Sequence, residues 1–189
     1  MVLYLIRHGK TAANEAHLYC GSTDLPLSQN GADELRQLHY EIPEDCVFYT
    51  SGMRRTEQTL ELLFGNIPHH IDPRLREVDF GSFEMHSYEQ LRTDPAYQQW
   101  LTGDNEANLP PCGESGNQMR QRVLEALEQL LEKKQNAVII AHGGTVAMMM
   151  QQLFPEEGNS RYAWQPNPGC GYRIEGNSYR PIPQTTPAS

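Results

Sequence analysis

The sequence predicts an α/β protein with three layers (α/β/α), in which a mostly parallel central sheet lies between two layers of helices. Three short apolar runs, at residues 2–6, 46–49 and 137–141, each end in a polar segment that contains glycine. A segment with helical composition follows each run, and this alternation is typical of βαβ units and of a parallel sheet.

The N-terminal half supplies most of this alternation. Residues 2–6 form a short apolar run before Gly9, which is typical of a strand buried on both faces. Residues 11–16 could start a short helix, and the Gly, Pro and small polar residues of 20–27 predict a loop. Ser28 is a candidate N-cap for a helix that runs to about His39. The further elements expected here are a strand at 46–49, a helix at 54–64 closed by Gly65, and a strand at 67–71.

The segment from Pro73 to about Cys112 carries several aromatic residues and irregularly placed Gly and Pro residues. We expect a small helical insertion here, at about residues 83–112, that lies over the sheet edge and helps to form a pocket. A helical subdomain that serves only stability is the alternative, and aromatic content alone does not separate the two.

The C-terminal half begins with the clearest helix, at residues 115–133, where Met119, Val123 and Leu127 belong to one apolar face. A very hydrophobic strand at 137–141, an apolar helix at 145–154 and two strands within 169–183, with a turn at 175–177, are expected to follow. We expect a single domain over residues 1–182 and a disordered tail at 183–189, which is rich in Pro and Thr.

Composition limits the classes of function. The 189-residue chain has a formal net charge of −9, which argues against a general nucleic-acid binder. Its four cysteines are widely spaced and form no CxxC pair, so we expect free thiols rather than a zinc or redox motif. No apolar stretch approaches the ~18 residues of a membrane span, and the N-terminus lacks a signal-peptide pattern. We therefore expect a cytoplasmic protein that binds neither nucleic acid nor membrane. A monomer or homodimer is expected, although composition does not decide between them.

Polar residues suited to one anion follow the predicted strands. Arg7 offers a planar fork of donors, His8 can donate, accept or act as a nucleophile, and Gly9 lets the backbone approach a ligand closely. The other junctions carry Ser51 with Arg55, Glu77, and His142-Gly143-Gly144. Because the carboxyl ends of parallel strands meet at one edge of a sheet, we expect these groups to converge in a crevice.

These residues belong to an ordered set of motifs that spans residues 1 to about 150. The set comprises Arg7-His8-Gly9-Lys10-Thr11 with Asn14, Ser51-Gly52-Met53-Arg54-Arg55 with Gln58-Thr59, Leu75-Arg76-Glu77 with Phe80-Gly81 and Glu84, Gly113-Glu114-Ser115, and Ala141-His142-Gly143-Gly144. In this order the motifs resemble those of the histidine phosphatase superfamily, also called the phosphoglycerate mutase-like family. The resemblance implies that the insertion lies over an active site.

The resemblance also implies a role for each matched residue. His8 would attack phosphorus in line and form a phosphohistidine intermediate. Glu77 would protonate the leaving alkoxide and then deprotonate the attacking water. The phosphoryl oxygens would be held by Arg7, Arg55 and His142. The implied phosphate- or substrate-binding positions are Asn14, Gly21 and Gly143. Because cationic side chains supply the charge that a metal would bring, no metal and no cofactor is expected.

Some neighbouring residues compete for these roles. Glu84 is a second candidate for the acid, but Glu77 follows the Leu-Arg motif and is preferred. His86 lies in the insertion and could reach substrate. Cys20 could line the pocket, although a lowered thiol pKa would be needed to make it a nucleophile. Arg54 is expected at the surface.

The branch of the family is suggested by length and by one loop. A chain of 189 residues with a modest insertion favours hydrolysis by water over the shielded phosphoenzyme of a mutase. Residues 19–28 are similar to the corresponding loop of α-ribazole-5′-phosphate phosphatases, which act in cobalamin nucleotide-loop assembly, and in looser form to that of fructose-2,6-bisphosphatase-like and broad phosphatases. We therefore expect a metal-independent phosphomonoesterase for a small phosphorylated metabolite, with α-ribazole 5′-phosphate as the candidate. A phosphoglycerate mutase-type phosphoryl transfer, a non-catalytic phospho-ligand binding module and a two-histidine metal site are the alternatives.

Overall fold

The strands form one mixed sheet. The computed structural model describes residues 1–104 and 106–183, and its strands are β1 (Val2–Arg7), β2 (Val47–Thr50), β3 (His69–Ile71), β4 (Ala137–Ala141), β5 (Gly171–Glu175) and β6 (Ser178–Ile182). Their order is β3-β2-β4-β1-β5-β6. The first four in this order are parallel, and β5 and β6 are antiparallel to their neighbours. The predicted mostly parallel sheet is confirmed, whereas the predicted tail, apart from Pro183, lies outside the described residues.

Several helices start at capping residues that the sequence displays. The α-helices are α1 (Ala12–Glu15), α2 (Gln29–Arg36), α3 (Arg54–Phe64), α4 (Tyr88–Leu91), α5 (Pro95–Leu101), α6 (Gly116–Glu132) and α7 (Gly143–Leu153). Short 3-10 helices lie at Pro73–Leu75, Gly81–Phe83 and Pro155–Glu157. The side chains of Thr11, Ser28 and Ser115 each accept a first-turn amide, which satisfies a donor that the helix itself leaves unpaired.

Two apolar clusters cover the two faces of the sheet. On β1, Leu3 and Leu5 belong to the cluster under α6 and α7, while Tyr4 and Ile6 belong to the cluster under α3. Strand β4 alternates in the same way, and all five of its residues are buried. Because successive strand side chains point to opposite faces, this alternation places both strands between two helical layers. The predicted three-layer α/β/α architecture is confirmed.

Three predicted boundaries differ from the structure by two residues or more, and others differ by one. Helix α2 ends at Arg36 rather than near His39, because Gln37 closes the last turn by donating to Glu34 O and Leu35 O. Strand β3 begins at His69 rather than at residue 67, since Pro68 has no N–H to contribute to a ladder. Helix α7 begins at Gly143, two residues earlier than predicted, with His142 as its N-cap.

The insertion has a small core of its own. Phe83, Leu91 and Tyr97 are buried together, and Tyr19 from the main body packs against them. The Tyr19 and Tyr97 hydroxyls lie 2.5 Å apart, which ties the insertion to the loop that follows α1. Over the described ranges, 1–104 and 106–183, we find no helix with the length and apolar character needed to cross a membrane.

Candidate active site

Strands β1 and β4 place two histidines side by side. Arg7 pairs with Ala141 in the parallel register, so His8 and His142 are the next residues at the same edge of the sheet. The His8 amide donates to Ala141 O at 2.9 Å, and the two imidazole centroids are 5.0 Å apart in an edge-on arrangement. The predicted convergence of these two motifs at one edge is therefore present.

The hydrogen bonds of His8 define its tautomer. Its Nδ1 lies 2.6 Å from the carbonyl oxygen of Gly9, which can only accept, so Nδ1 carries the proton. Nε2 then holds a lone pair and has no hydrogen-bond partner among the described residues. Gly9 is itself fixed, since its amide donates to Thr59 Oγ1 at 3.0 Å. Burial, followed by the charges of Arg55 and Arg7, holds the pKa of His8 well below 6.5, so the ring is neutral; its role as a nucleophile stays a prediction.

His142 has both ring nitrogens engaged by protein groups. Arg55 Nε donates to His142 Nδ1 at 3.2 Å, so the ring proton is on Nε2, which donates to Ser51 Oγ at 2.8 Å. Burial, then His8 and Arg55, lowers the pKa of His142 well below 6.5. The contact between His142 and a phosphoryl oxygen stays a prediction, and it requires either the Nε2–H that now bonds Ser51 or a proton gained at Nδ1 in place of the Arg55 bond.

The guanidinium of Arg55 connects this pair to the loop at residues 20–27. The residue is 1% exposed, and its Nη1 and Nη2 donate to Thr23 O at 2.8 Å and to Gly21 O at 2.7 Å. Burial lowers the pKa of Arg55, and the nearby acidic groups raise it. Each terminal nitrogen keeps a second N–H, so Arg55 can hold the loop and an anion together.

Glu84 binds the other side of the same loop. Its carboxylate accepts from the amides of Gly21, Ser22 and Thr23 at 2.9 to 3.2 Å, and from the Thr23 hydroxyl at 2.6 Å. The Phe80 amide donates to the same carboxylate at 3.0 Å. Gly21 therefore uses its amide and its carbonyl within the protein, and a Cβ there would overlap the Val78 carbonyl oxygen. Its predicted substrate contact is untested, and the structure shows it as a close-packing position.

Glu77 lies at the N-terminus of α7. Its Oε2 accepts from the Gly144 amide at 2.8 Å, and its Oε1 accepts from the Val78 amide at 3.0 Å. A Cβ on Gly144 would overlap this carboxylate, so the glycine allows the close approach. The preferred acid candidate is thus bonded to the first turn of α7, two residues after His142, whereas Glu84 is committed to a loop.

Arg7 and Asn14 keep donors that the protein does not use. Arg7 Nη1 donates to Pro166 O at 2.9 Å, but its buried Nε has no partner among the described residues. The Arg7 guanidinium lies against Gly143, where an added Cβ would be 3.2 Å from Cζ. Asn14 Oδ1 accepts from the Thr11 amide at 3.0 Å, which leaves the Asn14 amide nitrogen available. Both residues line the cavity that also contains Glu77.

This cavity, of about 350 Å³, has two chemically different ends. Arg7, Asn14 and Glu77 line the end that we call inner, whereas the buried His8, Arg55 and His142 are not among the residues that line the cavity. The outer end is aromatic and contains one ion pair, Arg161 Nη1 to Glu106 Oε2 at 2.9 Å. Its aromatic lining residues are Tyr19, Phe80, Trp100 and Tyr162.

The whole domain matches a known family. The model of the histidine phosphatase superfamily (branch 1) matches residues 3–185. The chain belongs to this superfamily. The predicted family, fold and phosphatase class are therefore confirmed.

Several members of the histidine phosphatase superfamily resemble the chain over most of its length. An adenosylcobalamin/alpha-ribazole phosphatase of Salmonella typhimurium is 31% identical over 184 residues, which cover 93% of this chain and 90% of the relative. A crystal structure of the alpha-ribazole phosphatase from Shigella flexneri has a TM-score of 0.82 at 29% identity and covers 95% of this chain and 93% of that one. A probable phosphoglycerate mutase of Erwinia tasmaniensis is 27% identical over 158 residues, 80% of this chain and 74% of the relative.

The other candidate residues named from the sequence lie outside the site or lack the required chemistry. His86 is exposed and does not line the cavity, and Arg54 is exposed as predicted. Lys10 forms a 2.7 Å ion pair with Glu34 at the surface. Cys20 lines the cavity, but burial raises the pKa of its thiol, which gives no support for a nucleophilic thiolate.

Sequence reasoning gave no role to the outer ion pair. Glu106 and Arg161 are 55 positions apart, and neither belongs to a matched motif. Only the tertiary fold brings them together, so a single sequence offers no signal for the pair. Trp100, which also lines the outer end, was covered by the predicted aromatic pocket.

Proposed function

We propose that this histidine phosphatase hydrolyses the phosphomonoester of a small metabolite through a phosphohistidine on His8, with α-ribazole 5′-phosphate as the candidate substrate. The single observation that carries this proposal is the neutral His8 ring. Its Nδ1–H is fixed on Gly9 O, and its Nε2 has no partner among the described residues; the ring follows Arg7 at the edge of the sheet, and Arg7 lines a cavity together with Glu77.

The residues support a balanced two-step displacement. In the first step the Nε2 lone pair of His8 forms the P–N bond while the P–O bond to the alcohol breaks, and Glu77 gives its proton to the leaving oxygen. In the second step the Glu77 carboxylate takes a proton from water, the water oxygen attacks phosphorus, and the P–N bond breaks. His8 and Glu77 are thereby restored, and the products are an alcohol and phosphate.

The outer end of the cavity supports hydrolysis over mutase chemistry. A mutase primed by a bisphosphate must bind a second anionic group beside the reacting phosphoryl group. Among the described lining residues the cations are Arg7, at the inner end, and Arg161, which is paired with Glu106. The outer end is therefore close to neutral. The aromatic rings of Tyr19 and Trp100 suit a flat, uncharged leaving group such as the benzimidazole riboside of α-ribazole.

A phosphate-release assay on a small panel tests the proposal. The panel contains para-nitrophenyl phosphate, α-ribazole 5′-phosphate, 3-phosphoglycerate and fructose 2,6-bisphosphate, with a strong chelator present throughout. We expect α-ribazole 5′-phosphate to have the highest kcat/KM. We expect His8→Ala to abolish release, while the exposed His39→Ala serves as a control that retains it.

The alternatives predict other results. Isomerised 3-phosphoglycerate without release of phosphate would support the mutase, and stabilisation by phosphate esters without turnover would support a binding module. Loss of activity in the chelator would support a metal site. Release that survives in His8→Ala would refute the phosphohistidine.

We also propose a cytoplasmic location and a monomeric or homodimeric state. All four cysteines are free thiols, which supports a reducing compartment. Light scattering on a size-exclusion column tests the oligomeric state, and a larger assembly would contradict this part of the proposal.

A further inference from the structure

We propose that Arg122 is a positioning residue for the general acid, because its guanidinium fixes the backbone that carries Glu77. Arg122 lies on α6, and its side chain is 22% exposed. The inference rests on the proposed role of Glu77 as proton donor to the leaving group, and it adds a residue that does not touch the substrate cavity.

Three backbone carbonyls converge on this guanidinium. Arg122 Nη1 donates to Arg74 O at 2.7 Å and to Arg76 O at 2.6 Å, and Nη2 donates to Glu77 O at 3.0 Å. The segment leaves a short 3-10 helix at Leu75 and pairs with no strand, so its carbonyls lack a ladder partner. The bonds to Arg74 O and Glu77 O are part-buried and the bond to Arg76 O is exposed, so one charged side chain supplies a partner for three carbonyls that no strand pairs.

Glu114 fixes Arg122 in turn. Its two carboxylate oxygens accept from Arg122 Nε at 2.7 Å and from Nη2 at 2.6 Å, which is a bidentate pair. The Glu114 amide donates to Asp79 O at 2.8 Å, so the pair joins the start of α6 to the backbone on the far side of Glu77. A planar guanidinium held at both ends has little freedom to follow a moving loop.

The carboxylate of Glu77 is therefore fixed through its own backbone as well as through its oxygens. The Gly144 and Val78 amides orient the carboxylate, and Arg122 sets the position of the peptide to which it is attached. Proton transfer needs hydrogen-bond distance to the leaving oxygen, so a displacement of about 1 Å at this peptide can cost ~100-fold in rate.

Leaving-group dependence tests this role. Para-nitrophenolate leaves without protonation, whereas the alkoxide of α-ribazole 5′-phosphate requires the acid. We expect Arg122→Met to lower kcat/KM for α-ribazole 5′-phosphate by about 100-fold and for para-nitrophenyl phosphate by less than about 5-fold. Arg122→Lys should recover part of the loss. Arg120→Met, on the same helix and bonded to Gln151, is the matched control and should leave both substrates unchanged.

A double variant separates positioning from general stability. Glu77→Gln should also lower kcat/KM mainly for α-ribazole 5′-phosphate. Adding Arg122→Met to Glu77→Gln should lower kcat/KM little further, because both changes remove the same protonation of the leaving group. Glu114→Gln is a second variant, expected to show a weaker effect with the same selectivity; because Glu114 lines the cavity, its effect is judged by the difference between the two substrates.

Equal losses on both substrates in Arg122→Met and Glu114→Gln, or full additivity with Glu77→Gln, would overturn the inference. If Glu77→Gln is itself unselective, the proposed acid fails and the inference fails with it. If Glu77→Gln is selective while the Arg122 variants are not, only the inference fails.

Discussion

The substitution Glu84→Gln distinguishes two roles for a carboxylate that the sequence leaves as a candidate acid. In the structure one oxygen, Oε1, accepts from the amides of Gly21, Ser22 and Phe80 at 2.9 to 3.0 Å. The other, Oε2, accepts from the amide and the hydroxyl of Thr23 at 3.2 and 2.6 Å. A glutamine can keep its carbonyl at the first position, but it must then place an NH2 group against the Thr23 amide.

The loss of stability expected in Glu84→Gln follows from this geometry. An amide left without an acceptor costs about 1–3 kcal/mol, and each bond that changes from charged to neutral loses roughly 1 kcal/mol. Ser22 is exposed, so water can replace part of what is lost there. The sum is a destabilisation of ~3 kcal/mol. For a chain of 189 residues this corresponds to a fall in Tm of about 6–12 °C.

Thermal unfolding and kinetics measured together form the assay. Arg55 donates to the carbonyls of Gly21 and Thr23, so a loosened loop should weaken phosphate binding. We expect KM to rise about 10-fold for para-nitrophenyl phosphate and for α-ribazole 5′-phosphate alike. Glu89→Gln is the control, since Glu89 is exposed and its ion pair with Arg92 is worth less than about 1 kcal/mol.

A proton-donating role for Glu84 would give the opposite pattern. Tm would change by less than about 2 °C, and kcat/KM would fall only for the substrate with the poorer leaving group. That result would refute the assignment of Glu84 to the loop.

Three further predictions concern the centre of the site. Burial and the charge of Arg55 hold the pKa of His8 well below 6.5, so the His8 ring should stay neutral as pH falls. The acid limb of the pH profile of kcat/KM should therefore lie well below pH 6.5. An acid limb at or above pH 6.5 would contradict this prediction. Gly144→Ala should lower kcat by about 100-fold with little loss of Tm, since the added methyl group displaces Glu77; kinetics equal to wild type would contradict the placement. Cys20→Ser should retain phosphatase activity within about 2-fold and leave the pH profile unchanged, because burial raises the pKa of the thiol. A large loss of kcat would show that the sulfur takes part in the reaction.

The sequence predicted the parts of the fold that depend on local pattern. Short apolar runs that end in glycine correctly located β1 and β4, because a strand buried on both faces must be apolar throughout. The same reasoning brought His8 and His142 together, since residues after parallel neighbours share an edge. Boundaries were less accurate where no capping side chain marks them, as at His142 before α7, or where one residue decides them, as at Pro68 before β3.

Roles that depend on side-chain direction could not be predicted. Glu77 and Glu84 are both acidic residues in matched motifs, and only the fold shows that one meets α7 and the other a loop. Arg122 lies on an amphipathic helix, where the periodicity indicates only a polar face. Its carbonyl partners are 45 to 48 positions away, and no local pattern encodes them.

The loops of the site are held by charged side chains in place of a strand ladder. At residues 21–23 the amides bind Glu84 and the carbonyls bind Arg55. At residues 74–78 the carbonyls bind Arg122 and the Val78 amide binds Glu77. Irregular backbone leaves amides and carbonyls without the partners that a neighbouring strand would supply. Here a carboxylate accepts from the amides and a guanidinium donates to the carbonyls. Two of these four charged residues are also proposed to act in the reaction: Arg55 on the phosphoryl oxygens and Glu77 on the leaving oxygen. A loss of activity on removing either residue therefore identifies a catalytic role only when Tm is measured on the same variant.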